Sequence, residues 1–506
     1  MYRRTMIGQL QLDIPFGTPL DANNRWVRLA GILPWEKIEE KYAENFKGEC
    51  GQVAKSGRLA FGALYIQGRL AITDEELVMQ IQETPSMQYF CGFGSYSPEK
   101  PFDSSLLVHF RKRIPAEMVK EIAEEAFVAE AKKAIELEES KNNSDDEPKI
   151  DSDNNSNNID NSDNNDTASG NKKEPKPKGT LLLDATCCPS DIRYPTDINL
   201  LNHARELLEQ IIDGLHHQQK HLGIEKPRTY RDGARKNYMD YIKKRSHTEE
   251  EIRFTIRQQL QYVHRNLDTI EKQVESGAKL ELLDGQLNKK LPVIAEVYRQ
   301  QKQMYDEKTH QIEDRIVSIA QPHIRPIVRG KAGAPVEFGT NVATAHIGGF
   351  TFVIHMGYDN FSESTYLEKS AEEYKRMFGF YPKVIVGDKA YATNDNRKYC
   401  KSKGIRLSAP KRGRKSDCEK ELEKKQLYED NCKRNAVEGD YGVTKRKYGL
   451  DLVMTKLQNT TLTVIAFAFF IKNMERILRL FVLRFFLRRG KIWCFERRLF
   501  LGGVIQ

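Results

Sequence analysis

The chain has 506 residues, with 80 Lys and Arg against 71 Asp and Glu, and its side chains are 39% apolar and 30% charged. That length exceeds one compact core and calls for about three units of roughly 150 residues. The composition excludes collagen, continuous coiled coil and a wholly disordered chain. The net charge of +9 hides a segregation: from Asn142 to Asp166 eight acids face the single base Lys149, so that this stretch carries −7 and the rest +16. A basic remainder favours a polyanionic partner through steering and counterion release, a bias it shares with many basic proteins that never meet nucleic acid.

The eight cysteines form no CxxC pair, and the adjacent Cys187 and Cys188 read as strand filling, which argues for a reducing compartment and against a zinc framework. The opening MYRRTMIGQLQLDIP lacks the apolar core of a signal peptide, and the apolar run Asn459 to Ile471 falls short of the ~20 residues that span a bilayer. The expected location is cytoplasmic.

Residues 1–115 read as a self-contained helical N-terminal domain, either a small DNA-contacting module or a helical domain with an ordinary solvated basic edge. Thr73 with Glu76 forms a capping box, and Asp103 caps a helix in which Leu106, Leu107, Phe110 and Ile114 form a stripe beside Arg111, Lys112 and Arg113. Residues 116–178 read as a charged helix followed by an acidic, Asn-rich linker too poor in apolar groups to fold. TLLLDATCC, starting at Thr180, reads as a strand buried on both faces. Residues 199–320 read as a helical insertion, where Thr248 and Glu251 form a second capping box and Ile252, Ile256, Leu260, Val263 and Leu267 keep a 3.6 period. A hairpin turning at Gly348 and Gly349 follows, then helix, strand Val384 to Val386, helix, strand IRLSAP and a helix from Glu419 to about Lys447. Residues 179–198 and 321–460 together form a mixed α/β layer. Residues 461–506 are apolar and basic at once, with nine bases against two acids between Lys472 and Arg498. Packing on the sheet with bases toward a phosphate backbone is a more economical reading than a helix lying on a membrane.

Three carboxylates look out of place. Asp184 sits among Leu181, Leu182, Leu183 and Ala185, where a bare carboxylate is costly without a cation or hydrogen bonds; a turn cap at a strand end is the plainer alternative. Asp388 follows Val384, Ile385, Val386 and Gly387 at a strand exit, and acids at the carboxyl ends of adjacent strands share one crevice. Arg434, Glu438 and Lys445 share one helix face, as an ordinary salt-bridged surface helix would also have it. Gly439, Gly442 and Gly449 nearby each cost ~1 kcal/mol against Ala in a helix interior, which suggests close approach to something. His217 and His221 have a zinc-compatible spacing without a third ligand, and His346 and His355 read as packed within the hairpin. No GxSxG or P-loop pattern is present.

LLLDATCCPSDIRYPTD, VIVGDKAYATNDNR and RNAVEGDYGVTKRKYGL resemble, in that order, the first Asp, second Asp and Glu regions of bacterial insertion-sequence DDE transposases, close to insertion-sequence family five. FGALYIQGRLAITDEELVMQIQETPSMQYFCGFG and SSLLVHFRKRI resemble the helical N-terminal domain of that group. The resemblance implies a ribonuclease-H-like mixed sheet flanked by helices, with Asp184, Asp388 and Glu438 as a catalytic triad that binds two Mg²⁺ ions, or Mn²⁺. Arg434, Lys445, Lys389 and the run Lys411, Arg412, Arg414, Lys415 would hold phosphates. The family's Tyr-Arg-Glu-Lys signature is broken at its first position, which is Asn431 here. The implied partner is double-stranded DNA, both element ends and target, bound by a homodimer in the bacterial nucleoid, with no membrane. Two other readings are a nuclease on the same fold that cuts without strand transfer, and a non-catalytic DNA-binding derivative.

Overall fold

The computed structural model describes residues 20–46, 53–144, 175–331, 334–410, 413 and 416–501; side-chain burial is described as far as Leu480. Six helices come first: α1 (Arg25–Ala30), α2 (Trp35–Ala43), α3 (Gly57–Leu70), α4 (Asp74–Glu83), α5 (Pro85–Phe90) and α6 (Leu106–Arg113). Their ends are set locally. The Ser56 hydroxyl accepts the Leu59 amide to open α3, and Thr73 accepts that of Glu76 to open α4. Asp103 does not cap α6 directly: its carboxylate accepts the Ser105 amide, and the helix begins one turn later at Leu106.

The long α7 (Ala116–Ser144) leads toward β1 (Thr180–Pro189). The insertion follows as α8 (Asp197–Gln219), α9 (Arg231–Ile242), α10 (Glu249–Glu275) and α11 (Gly285–Glu307). The chain then returns through β2 (Pro326–Lys331), β3 (Ala334–Ile347), β4 (Phe350–Gly357), α12 (Tyr366–Phe378), β5 (Val384–Val386), α13 (Asn394–Ser402) and β6 (Arg406–Leu407). It ends with α14 (Asp417–Tyr448) and α15 (Gln458–Leu501). β2 has no counterpart among the expected strands: PIVRGK contains a proline, a glycine and two bases, and its pairing with β3 is what makes it a strand.

The sheet is mixed. β3 pairs antiparallel with β1, β4 and β2, while β1, β5 and β6 run parallel. The β3–β4 turn needs Gly348 and Gly349, whose φ angles of +57° and +82° are left-handed. This mixed α/β layer with helices around it fits a ribonuclease-H-like transposase. IRLSAP supplies only two strand residues, because Ser408 onward leaves the sheet.

The N-terminal helices were expected to be self-contained, yet one continuous apolar core joins Trp26, Phe61 and Phe90 to α7, the sheet and α15. α15 causes this: Phe467 and Phe470 lie 4.8 and 5.5 Å from the Phe61 ring, so its apolar stripe is buried on α3 and α7 as well as β4. Each such buried ring contributes ~1.5–3 kcal/mol relative to exposure. No helix among the described residues is long and apolar enough to cross a membrane. The insertion has a separate core, with Leu201, Leu208, Ile212, Val263 and Ile294 between α8, α10 and α11. The capping box of Thr248 and Glu251 opens α10 as expected.

Candidate active site

β1 and β5 are parallel, with Leu182 opposite Val386. Asp184 stands two residues beyond Leu182 in β1, and Asp388 two residues beyond the last residue of β5, near enough for its charge to act on Asp184. Asp184 lies inside its strand, as the apolar run around it suggested, and not at a strand end as the turn-cap alternative had it: β1 continues to Pro189. β5 is the short strand, ending at Val386, and its departure leaves the β1 edge open beside Asp184. Gly387 makes the departure possible, because a Cβ there would lie 2.7 Å from the Tyr391 ring. Tyr391 itself is buried.

α14 packs across β1 and β5 and supplies the third acid. Arg434, Glu438, Tyr441 and Lys445 follow at spacings of four, three and four, one face of a helix. Arg434 Nη1 lies 3.6 Å from Asp388 Oδ1, and its Nε is buried with no hydrogen-bond partner. Asp184 accepts the Ala185 amide at 2.9 Å. Its carboxyl is held above the usual carboxylate range, first by burial and then by the charges of Asp388 and Glu438, while the Ala185 amide and Arg434 oppose this. The three acids therefore share one electrostatic environment. Lys445 is half-buried and Lys389 exposed, whereas Lys411, Arg412, Arg414 and Lys415 lie outside the described residues.

The carboxylate donor set is the chemistry of a hard divalent cation such as Mg²⁺. Among the described residues no three of His, Cys, Asp and Glu stand close enough to hold an ion, and the guanidinium of Arg434 lies against Asp388 instead. His217 and His221 do not share a helix, because α8 ends at Gln219; both are exposed. The glycines of α14 contact little: nothing in the described chain lies within 4 Å of a Cβ at Gly439, and Gly449 ends the helix at φ +72°.

A polar network behind the acids was not anticipated as part of the site. The Tyr441 hydroxyl is 2.6 Å from Thr344 Oγ1, which lies 3.0 Å from His346 Nε2. His346 Nδ1 is 3.3 Å from Asp440 Oδ2, and the Lys472 ammonium reaches that same oxygen and, at 3.0 Å, Thr351 Oγ1. Burial holds His346 and Lys472 below their ordinary values, with Asp440 opposing in both cases. Glu363, in the turn before α12, adds a further negative charge near Tyr391 and Tyr441. The helical spacing of Tyr441 from Glu438 and Lys445 was visible in the sequence, but the strand partner of Asp184 was not.

Residues 385–475 match the family model described as Transposase DDE domain, and residues 16–113 match Transposase domain (DUF772). The first match contains Asp388, Arg434, Glu438 and Lys445; Asp184 lies outside both. The chain is 36% identical over 96 residues to the uncharacterized protein ORF8 in the nfe locus of Rhizobium meliloti, a match covering 19% of this chain and 46% of that relative. The chain thus spans about half the length of the curated relative it matches. No solved structure matches.

Proposed function

Since the chain belongs to the insertion-sequence DDE transposases, we propose that it binds the ends of its element, cleaves the DNA there and joins the freed 3′-hydroxyl to target DNA. The observation that carries this reading is the buried Asp184 carboxyl, close enough to Asp388 and Glu438 to feel their charges, beside an arginine that lies 3.6 Å from Asp388 and has an unpaired buried Nε. A perturbed acid at a strand edge, with further carboxylates and a cation beside it, suits phosphodiester chemistry.

Asp184, Asp388 and Glu438 are the carboxylates that would take divalent metal, Mg²⁺ or Mn²⁺, once drawn closer than they stand in this structure; bound there, it would activate the attacking oxygen and stabilise the leaving one. The residues of the chain bind and orient. Arg434 turns its Nε to a phosphate oxygen, one turn of α14 from Glu438, and Lys445 adds a second cation on the same face. Lys389 flanks Asp388 at the sheet exit. In cleavage, water forms a bond to phosphorus and the 3′-oxygen leaves with a proton. In transfer, that 3′-oxygen attacks a target phosphodiester and displaces the target's own 3′-oxygen. Two ends must be joined, so two copies of the chain act together.

The test uses Asp184→Asn in a gel shift and in a cleavage reaction with Mg²⁺ or EDTA. Loss of cleavage with retained binding is expected, as is loss of cleavage by the unaltered chain in EDTA. Undiminished cleavage by the variant removes Asp184 from the chemistry. Pre-cut ends that are never joined to target DNA would reduce the activity to that of a nuclease.

A further inference from the structure

The insertion carries a surface that the acids do not use. α9 is pinned alongside α8 and α10. Arg231 at its start donates to both oxygens of Asp213 at 2.9 Å, Tyr238 Oη donates to Asn199 at 2.9 Å, and Lys244 beyond its end pairs with Glu251 at 2.9 Å. Asn199 lies in the first turn of α8, shortly after β1 ends at Pro189. The carboxyl end of α9 is therefore at the sheet end of the insertion, and its amino end lies further out along the helices.

Between Lys226 and His247 eight Lys and Arg face two acids, Asp232 and Asp240. Lys226 and Arg231 are paired with Asp213, and Lys244 with Glu251. Arg228, Arg235, Lys236, Lys243 and Arg245 are exposed and, among the described residues, pair with no carboxylate. The buried positions of α9 are Ala234 and Tyr238, and helical spacing puts Lys236 and Lys243 on its other side and Arg235 on its flank. At the outer end Arg265 of α10 lies 4.5 Å from the Tyr230 ring and 5.0 Å from that of Tyr262, with Arg228 5.4 Å from Tyr230. Stacking holds these guanidinium groups in place while leaving them charged.

The geometry points to the α9 edge of the insertion as a separate contact for the phosphate backbone of duplex DNA, which continues outward from the segment held at the carboxylates. The inference rests on the transposase reading. The twelve residues of α9 span ~18 Å, the length of about five base-pair steps. Like charges crowded over that length repel one another in the free chain, and a polyanion relieves the repulsion while releasing its own counterions. Met239 and Ile242, exposed on α9, are too few to seat the helix in a lipid surface.

The experiment uses the full chain and a random-sequence duplex, with binding followed by fluorescence anisotropy over a salt series. The triple variant Arg235→Ala, Lys236→Ala, Lys243→Ala is expected to bind at least ~10-fold more weakly, with the slope of log affinity against log salt reduced by about 2 to 3, near 0.9 per lost phosphate contact. Replacing Lys236 and Lys243 by Arg should preserve affinity. Lys272→Ala, at the far end of α10, should leave both affinity and slope unchanged, and circular dichroism should report the same helix content throughout. An unchanged affinity and slope in the triple variant overturns the inference, as does tight binding to anionic vesicles that the triple variant loses while its DNA affinity stays intact. If the unaltered chain binds and cleaves DNA but the triple variant does so equally well, only this surface is wrong. If the unaltered chain does not bind, the transposase reading falls with it.

Discussion

The Tyr441 hydroxyl lies 2.6 Å from Thr344 Oγ1, and Thr344 is the cross-strand neighbour of Asp184. One hydrogen bond thus ties the helix that carries Glu438 to the strand beside the first acid. Tyr441→Phe keeps the ring and removes this bond, which should cost ~1 kcal/mol. The expected result is a small fall in denaturation midpoint and a clear fall in cleavage rate, with DNA affinity unchanged. Equal cleavage rates would mean that α14 holds its position without the bond.

Behind that contact, Asp440 and Lys472 join α14 to α15 through an ion pair whose lysine is buried and whose carboxylate is partly exposed, with side-chain exposures of 8% and 29%. Asp440→Ala leaves the Lys472 ammonium buried with only Thr351 Oγ1 and the Gly349 carbonyl to receive it. Losing one partner of such a pair costs ~3–5 kcal/mol, whereas replacing both by apolar groups is far milder. Urea unfolding should therefore show a large loss for Asp440→Ala and substantial recovery in Asp440→Leu with Lys472→Met. If the double variant is as unstable as the single one, the buried charge is not the cause.

A third tie gives a pH dependence. Arg406 of β6 donates to both oxygens of Asp430 on α14, at 2.7 and 2.9 Å. Burial alone would raise the Asp430 carboxyl, but Arg406 and Ser408 outweigh it and hold the group below the usual carboxylate range. A carboxyl lowered on folding stabilises the protein above its unfolded value near 4 and loses that contribution as pH falls through the lower folded value. The unaltered chain should lose more stability than Asp430→Asn between about pH 5 and pH 3. Parallel losses in urea titrations at the two pH values would contradict the assignment.

The parts of the site legible in the sequence were those with local causes. Asp388 follows a short apolar run and a glycine, and Arg434, Glu438 and Lys445 repeat at helical spacing, so each could be placed on its own element. β2 was not legible, since PIVRGK has no strand pattern and exists through its pairing with β3. The run TLLLDATCC marked β1 almost to its end, but not the open edge beside Asp184, which exists only because β5 stops early. Thr344 and His346 lie far from Asp440 and Lys472 in sequence, and only the packing of α14 on the sheet and the return of α15 bring them together.

Gly439 offers the sharpest separation of stability from binding. It lies inside α14, next to Glu438, where glycine costs ~1 kcal/mol against alanine. Its place was expected to reflect close approach, yet nothing in the described chain comes within 4 Å of a Cβ built there. In the free protein Gly439→Ala should therefore be stabilising by ~0.5–1 kcal/mol, since alanine suits the helical backbone and meets no neighbour. If the glycine makes room for DNA, the same variant should bind duplex more weakly and cleave more slowly despite its higher melting temperature. A variant that gains stability and keeps full affinity would show that the nucleic acid passes elsewhere, whereas a loss of stability would mean that α14 is not a regular helix at this point.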